Sequence, residues 1–167
     1  MDPVRTEPRR IWWARPRKLC ALERPGGGGR SHRAERRAAE IQYLRDRGVR
    51  LVVSVMPTRH NLAAYEAAEL AWHHVPVALA EDGAGALEEL LPFLRRETRA
   101  RGAVAIHGNR YTDFVAAVCA AHLYDARGVE PAMALAEAVA AGLTVTPQAC
   151  ALIGVRPRDV EGVGAVA

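Results

Sequence analysis

Residues 103–123, AVAIHGNRYTDFVAAVCAAHL, hold the densest set of groups able to do chemistry. His107, Asn109, Arg110, Tyr111, Thr112 and Asp113 fall within seven positions, between an apolar run and an amphipathic pattern. The segment reads as a buried strand, a tight polar loop and a helix. Backbone N–H groups converge where a loop meets a helix N-terminus, and such places suit anions. Arg110 could meet an anion. His107, whose ordinary pKa lies near neutrality, could act as general acid or base. Asp113 sits where the helix dipole favours its charge. The plainer alternative is an ordinary turn with Thr112 or Asp113 as N-cap and a structural Arg110–Asp113 pair.

The elements around this loop follow from periodicity and punctuation. Residues 11–14 and Leu19–Leu22 are short apolar runs split by Arg-Pro-Arg, which predicts a hairpin or two short strands. Trp12 and Trp13 are adjacent, so on a strand only one faces a given side. Residues 25–29 form a Pro-Gly loop. Ser31 then caps a helix over 32–47, with Ala34, Ala38, Ile41 and Leu44 at helical spacing and Gly48 as its end. Residues 51–56 predict a central buried strand. Asn61 is expected to cap a short helix reaching about Leu70, and 72–77 to form a strand limited by Pro76. A loop over 79–85 carries Glu81 and Asp82. Helices are expected over 86–101, with a kink or later start at Pro92, over 113–125, from Pro131 to Gly142, and from Thr146-Pro147 to Gly154. Strands alternating with helices predict one α/β domain, with a mostly parallel central sheet flanked by helices. Its expected bounds are 11–155, between a flexible basic lead at 1–10 and a flexible tail at 156–167.

Composition narrows the function classes. The chain has 167 residues, half of them hydrophobic and a quarter charged, as in an ordinary globular domain. No run of about 18 apolar residues exists, so no membrane span is expected. The charged N-terminus has no apolar signal region, and a cytoplasmic location is the expectation. Cys20, Cys119 and Cys150 are widely spaced, which argues for reduced thiols and against a zinc site. Cys119 and Cys150 fall in apolar helical patterns and read as buried small hydrophobes. His73 and His74 alternate across a strand with no third ligand in view, so neither a metal nor any other cofactor is expected. His60 and His122 read as surface or helix-face residues. Residues 1–50 hold fourteen of the 23 Lys/Arg but six of the 19 Asp/Glu. No nucleic-acid motif accompanies this basic excess, so a solvated face is expected rather than a nucleic-acid surface.

Several segments, in order, resemble the cysteine-dependent protein tyrosine phosphatase superfamily, in its small dual-specificity branch. IWWARPRKLCAL at 11–22 is similar to the family's opening aromatic-rich hairpin, and GVRLVVSV at 48–55 to its central strand. HVPV at 74–77 resembles the strand before the general-acid loop, 103–115 falls where the phosphate loop belongs, and TPQ at 146–148 resembles the start of the closing helix. The resemblance covers roughly 11–155 and implies a dual-specificity-phosphatase-like fold.

The family's chemistry does not follow from that resemblance. Its loop reads His-Cys-x-x-Gly-x-x-Arg-Ser/Thr. Aligned on His107, Gly108 stands at the nucleophilic cysteine, Tyr111 at the loop glycine, Phe114 at the phosphate-clamping arginine and Val115 at the hydroxyl residue. Glycine offers no nucleophile and phenylalanine no bidentate anion clamp. The general acid would fall at Leu79, with Glu81 and Asp82 displaced from it. The resemblance implies that His107 is a buried, loop-shaping residue and that Tyr111 either offers a phenol or plugs the vacated site. The expectation is a phosphatase-like protein without thiol-dependent phosphatase activity, a non-hydrolytic binding or regulatory module for a small anionic ligand or a protein partner. Its pocket would be Gly108, Asn109, Arg110, Tyr111, Thr112, Asp113 and Phe114. The alternative is an enzyme using His107, Arg110, Asp113 and Asp82 for acid–base chemistry, such as cyclisation, isomerisation or elimination, on a small molecule.

Overall fold

The computed structural model describes residues 7–27, 33–109 and 113–163. Five strands form one sheet in the order β1-β2-β5-β3-β4: β1 Ile11–Arg15, β2 Leu19–Leu22, β3 Val49–Ser54, β4 Ala71–His74 and β5 Ala103–His107. Only the β1–β2 hairpin is antiparallel; β2, β5, β3 and β4 run parallel. β2 and β5 are buried along their whole length, as central parallel strands covered on both faces should be. The α/β domain expected from the alternating pattern is therefore observed.

The helices are α1 Ala34–Asp46, α2 Leu62–Ala67, α3 Gly83–Glu97, α4 Asp113–Arg127, α5 Pro131–Ala140 and α6 Pro147–Leu152. Side-chain alternation splits the core in two. Leu19, Ala21, Val53, Val104 and Ile106 pack with α3, α4 and α5. Cys20, Leu22, Val52, Ala103 and Ala105 pack with Ile41 and Leu44 of α1 and with Leu62 and Tyr65 of α2. Trp12 joins the first core and Trp13 borders the second, as adjacent strand residues must.

Several expectations are corrected. The regular strand β4 ends at His74, short of the expected 77, although Val75 N and Val77 N still donate to the Ser54 and Val55 carbonyls at 2.9 and 3.1 Å. α3 begins at Gly83, not Ala86, led in by a 3-10 turn over Ala80–Asp82. Its start is therefore not delayed to Pro92, which lies exposed inside the helix. Asn61 is not a side-chain cap: its backbone is left-handed at φ 71° and its side chain bonds elsewhere. His122 is fully buried, because α4 lies inside its layer with α3, α5 and α6 around it. His60 is exposed as expected. Ser31 lies outside the described residues. The packed chain also extends beyond 11–155 at both ends. Pro8 is buried, and the Tyr43 hydroxyl donates to Glu7 across 3.4 Å. At the other end, Pro157–Asp159 make a 3-10 turn and Val160 enters the first core.

Candidate functional site

The C-terminal ends of β3, β4 and β5 open onto a cleft of about 340 Å³, the usual place for a ligand on a parallel sheet. Val55 and Pro57 follow β3, residues 77–79 follow β4, and Gly108 and Asn109 follow β5. Gly83, Asp113 and Phe114 enter from the first turns of α3 and α4, and Gln148, Ala149 and Leu152 close the side from α6. Two 15-residue helices thus point their N-termini at one cleft, each carrying about half a positive charge. Among the described residues the walls are mostly aliphatic and aromatic. Phe114 is one of them: a Cβ placed on Gly83 would meet its ring at 3.5 Å and Leu152 at 3.6 Å.

His107 sits beneath the cleft. It ends β5 between Leu22 of β2 and Ser54 of β3 and is fully buried. Its Nδ1 lies 2.9 Å from the Gly108 carbonyl, which only accepts, so Nδ1 carries the proton. Nε2 must then accept, and the Tyr65 hydroxyl donates to it across 2.7 Å. Asn61 Nδ2 donates in turn to the Tyr65 oxygen at 3.4 Å and to the Pro25 carbonyl at 2.8 Å. Burial pushes the His107 pKa down to about 4, against the opposing pull of the Gly108 carbonyl, so the ring is neutral. Burial also raises the Tyr65 pKa, keeping its donor proton in place. With both nitrogens engaged and no surface on the cleft, His107 orients the Gly108 peptide. The general acid–base role considered for it is not served by this geometry.

The other candidate residues divide in three. Gly108, Asn109, Asp113 and Phe114 line the cleft. Asp113 Oδ2 accepts from the Thr146 hydroxyl at 2.9 Å, and the same hydroxyl accepts from Ala149 N as the cap of α6. Asp82 is occupied elsewhere. Its Oδ2 accepts the backbone N–H groups of Ala78 and Leu79, at 3.2 and 2.9 Å, and braces the turn before α3. Arg110, Tyr111 and Thr112 lie outside the described residues. His73 and His74 part to opposite sides of β4. His73 stacks on Phe93 with centroids 4.3 Å apart, whereas His74 Nε2 donates to the Met56 carbonyl at 2.7 Å.

Sequence reasoning passed over Gln148 and Leu152 as site residues, having read their segment only as a closing helix. It also passed over Arg24, which is 8% exposed two residues after Leu22, the strand partner of His107. The available signal was an arginine two residues after a wholly apolar strand. All three cysteines are buried and unpaired, and none borders the cleft. Burial raises the pKa of each thiol.

No protein-family model and no curated protein matches this sequence. Solved structures do match. Human DUSP28 superposes with a TM-score of 0.68 at 25% identity, over 92% of this chain and 95% of that one. TpbA of P. aeruginosa gives 0.65 at 18% identity, over 82% of this chain and 79% of that one. The fold is that of the dual-specificity phosphatases. Such a fold leaves chemistry to the side chains grafted onto it. In this chain the residue following the β5 histidine is Gly108. Among the described residues no helix is long and apolar enough to cross a membrane.

Proposed function

We propose that this chain is a phosphatase-fold binding module that does not hydrolyse phosphate esters through a thiol. One observation carries the reading: the cleft at the end of β5 is bordered by Gly108 and Phe114, at the positions the resemblance gives to nucleophile and clamp, and by no cysteine. Glycine has no side-chain atom to attack phosphorus, and a phenyl ring gives no bidentate bond to a phosphoryl group. The occupant is a ligand or partner segment with an apolar body, because most of the wall is apolar. Asn109, Asp113 and Gln148 offer its polar contacts, and the two helix N-termini favour negative charge near them.

The test is hydrolysis of p-nitrophenyl phosphate by purified protein, with and without iodoacetamide. No phosphate release in either arm is expected. Turnover that alkylation abolishes would overturn the reading.

A repurposed acid–base enzyme is the second reading. It is favoured by an open cleft with the Asp113 carboxylate on its wall, and weakened by the burial of His107 and the engagement of Asp82. Turnover of a small molecule lost on Asp113→Asn and insensitive to alkylation would select it.

A further inference from the structure

A second and larger cavity, about 580 Å³, lies at the other end of the sheet. The topology requires the separation. β1 is antiparallel and pairs Arg15 with Leu19, and Leu19 pairs with Val104 at the start of β5. α3 and α4 begin at the first cleft and end at the second, and 15 helical residues span about 22 Å. Arg15 from β1, Arg95 from the last turn of α3, Arg99 from the turn that follows it, and Arg127 from the end of α4 line the second cavity together with Thr98 and Asp125.

Helix dipoles explain part of this gathering but not all of it. Arg95 and Arg127 lie in the last turns of α3 and α4, where cations are favoured. Arg15 comes from the sheet and needs another cause. It is half-buried, and its Nη1 is held by the Thr98 hydroxyl at 3.3 Å and by His122 Nε2 at 3.2 Å, both neutral. Burial and the nearby Arg127 both lower its pKa, the signature of a cation short of counter-charge. Asp125 is the one carboxylate lining the cavity among the described residues, and it is taken by Arg95 at 2.6 Å. Arg99 and Arg127 have no hydrogen-bonded or ion-paired side-chain partner among the described residues. Even after subtracting Asp125 and about half a negative charge for each helix end, the cavity keeps roughly two positive charges.

We propose that this cavity binds a small, multiply phosphorylated molecule through Arg15, Arg95, Arg99 and Arg127. Guanidinium groups from three elements converge on one concave space, and each presents a planar fork that matches two phosphate oxygens. A single phosphate would leave part of the charge unmet, whereas two or more linked phosphates reach guanidinium groups on both helices and the strand. This site is separate from the first cleft and does not depend on the function proposed for that cleft.

Titration calorimetry of the purified chain with inorganic tripolyphosphate, at about 0.15 M salt to suppress loose surface attraction, tests the site. Saturable binding is expected, at least about tenfold tighter than orthophosphate. Arg99→Ala with Arg127→Ala, both exposed, should weaken it about tenfold or more, while Arg156→Ala with Arg158→Ala leaves it unchanged. Asp125→Asn should tighten it. A nucleoside triphosphate binding more tightly than tripolyphosphate would assign a nucleoside contact; equal affinity would assign the phosphate chain alone. Three results would overturn the proposal: no saturable binding, equal weakening by the distant pair, or a preference for oligonucleotides that grows with their length.

Discussion

The Tyr65 hydroxyl donates to His107 Nε2 across 2.7 Å, joining α2 to the end of β5 inside a sealed core. The Gly108 carbonyl, 2.9 Å from Nδ1, fixes the imidazole tautomer, and the Tyr65 bond holds the ring in place against it. The first residue of the cleft loop is therefore oriented by a side chain on the far face of the sheet.

Tyr65→Phe removes one donor and leaves His107 Nε2 buried without a partner. Leaving such a group unpaired costs about 1–3 kcal/mol. Urea unfolding should show a lower midpoint at unchanged slope, and a shift equivalent to less than about 0.5 kcal/mol would mean the bond contributes nothing.

Acid should destabilise the fold through His107. Its pKa is depressed to about 4 in the folded chain, against about 6.5 unfolded. The unfolded chain then binds the extra proton between those values, so stability falls as pH drops from 6.5 towards 4. The full effect is about 3 kcal/mol, reached below pH ~4. His122, also pushed down to about 4 by burial and by Arg15, acts in the same direction. Unfolding free energies across that window should fall less steeply for His107→Asn than for the wild type; parallel curves would refute the assignment.

Thr146 serves two bonds at once, accepting from Ala149 N and donating to Asp113. Thr146→Val keeps the shape and removes both. A lost N-cap alone costs about 1 kcal/mol. The expected result is a lower Tm together with faster amide exchange over Pro147–Leu152, the segment that walls the cleft. Unchanged exchange there would show that the cap does not hold α6.

The thiols should be silent in the folded protein. Cys20, Cys119 and Cys150 are buried, and burial raises their pKa, so little reactive thiolate forms at neutral pH. A disulfide reagent should label none of the three in the native state within minutes and all three in denaturant. Rapid native labelling of one would mark a reactive thiol that this packing does not account for.

Much of the framework was legible from local pattern. β2, β5 and the helix opened by Thr146-Pro147 follow from apolar runs and from Pro and Ser/Thr signals that act within a few residues. Of the residues expected to form the pocket, Gly108, Asn109, Asp113 and Phe114 border the cleft, and Arg110, Tyr111 and Thr112 lie outside the described residues. His107 is buried and holds the loop, as the resemblance implies, whereas Asp82, a candidate only for the acid–base alternative, braces the turn before α3, because the sequence shows that a polar group exists and not which partner takes it. The expected kink or later start at Pro92 came from its missing N–H, a local fact; that α3 already begins at Gly83 and includes Pro92 is visible only in the structure.

From the chain's residues alone came the succession of strands and helices and the identity of the groups at 108 and 114, since period, capping and side-chain chemistry are local. Packing decided the rest. Tyr65 meets His107 from 42 residues away, Arg15 meets His122 from 107 away, and four arginines of three elements and a turn share one cavity. No periodicity encodes such pairs: they arise where a parallel sheet and two long helices bring distant chain ends to the same pole.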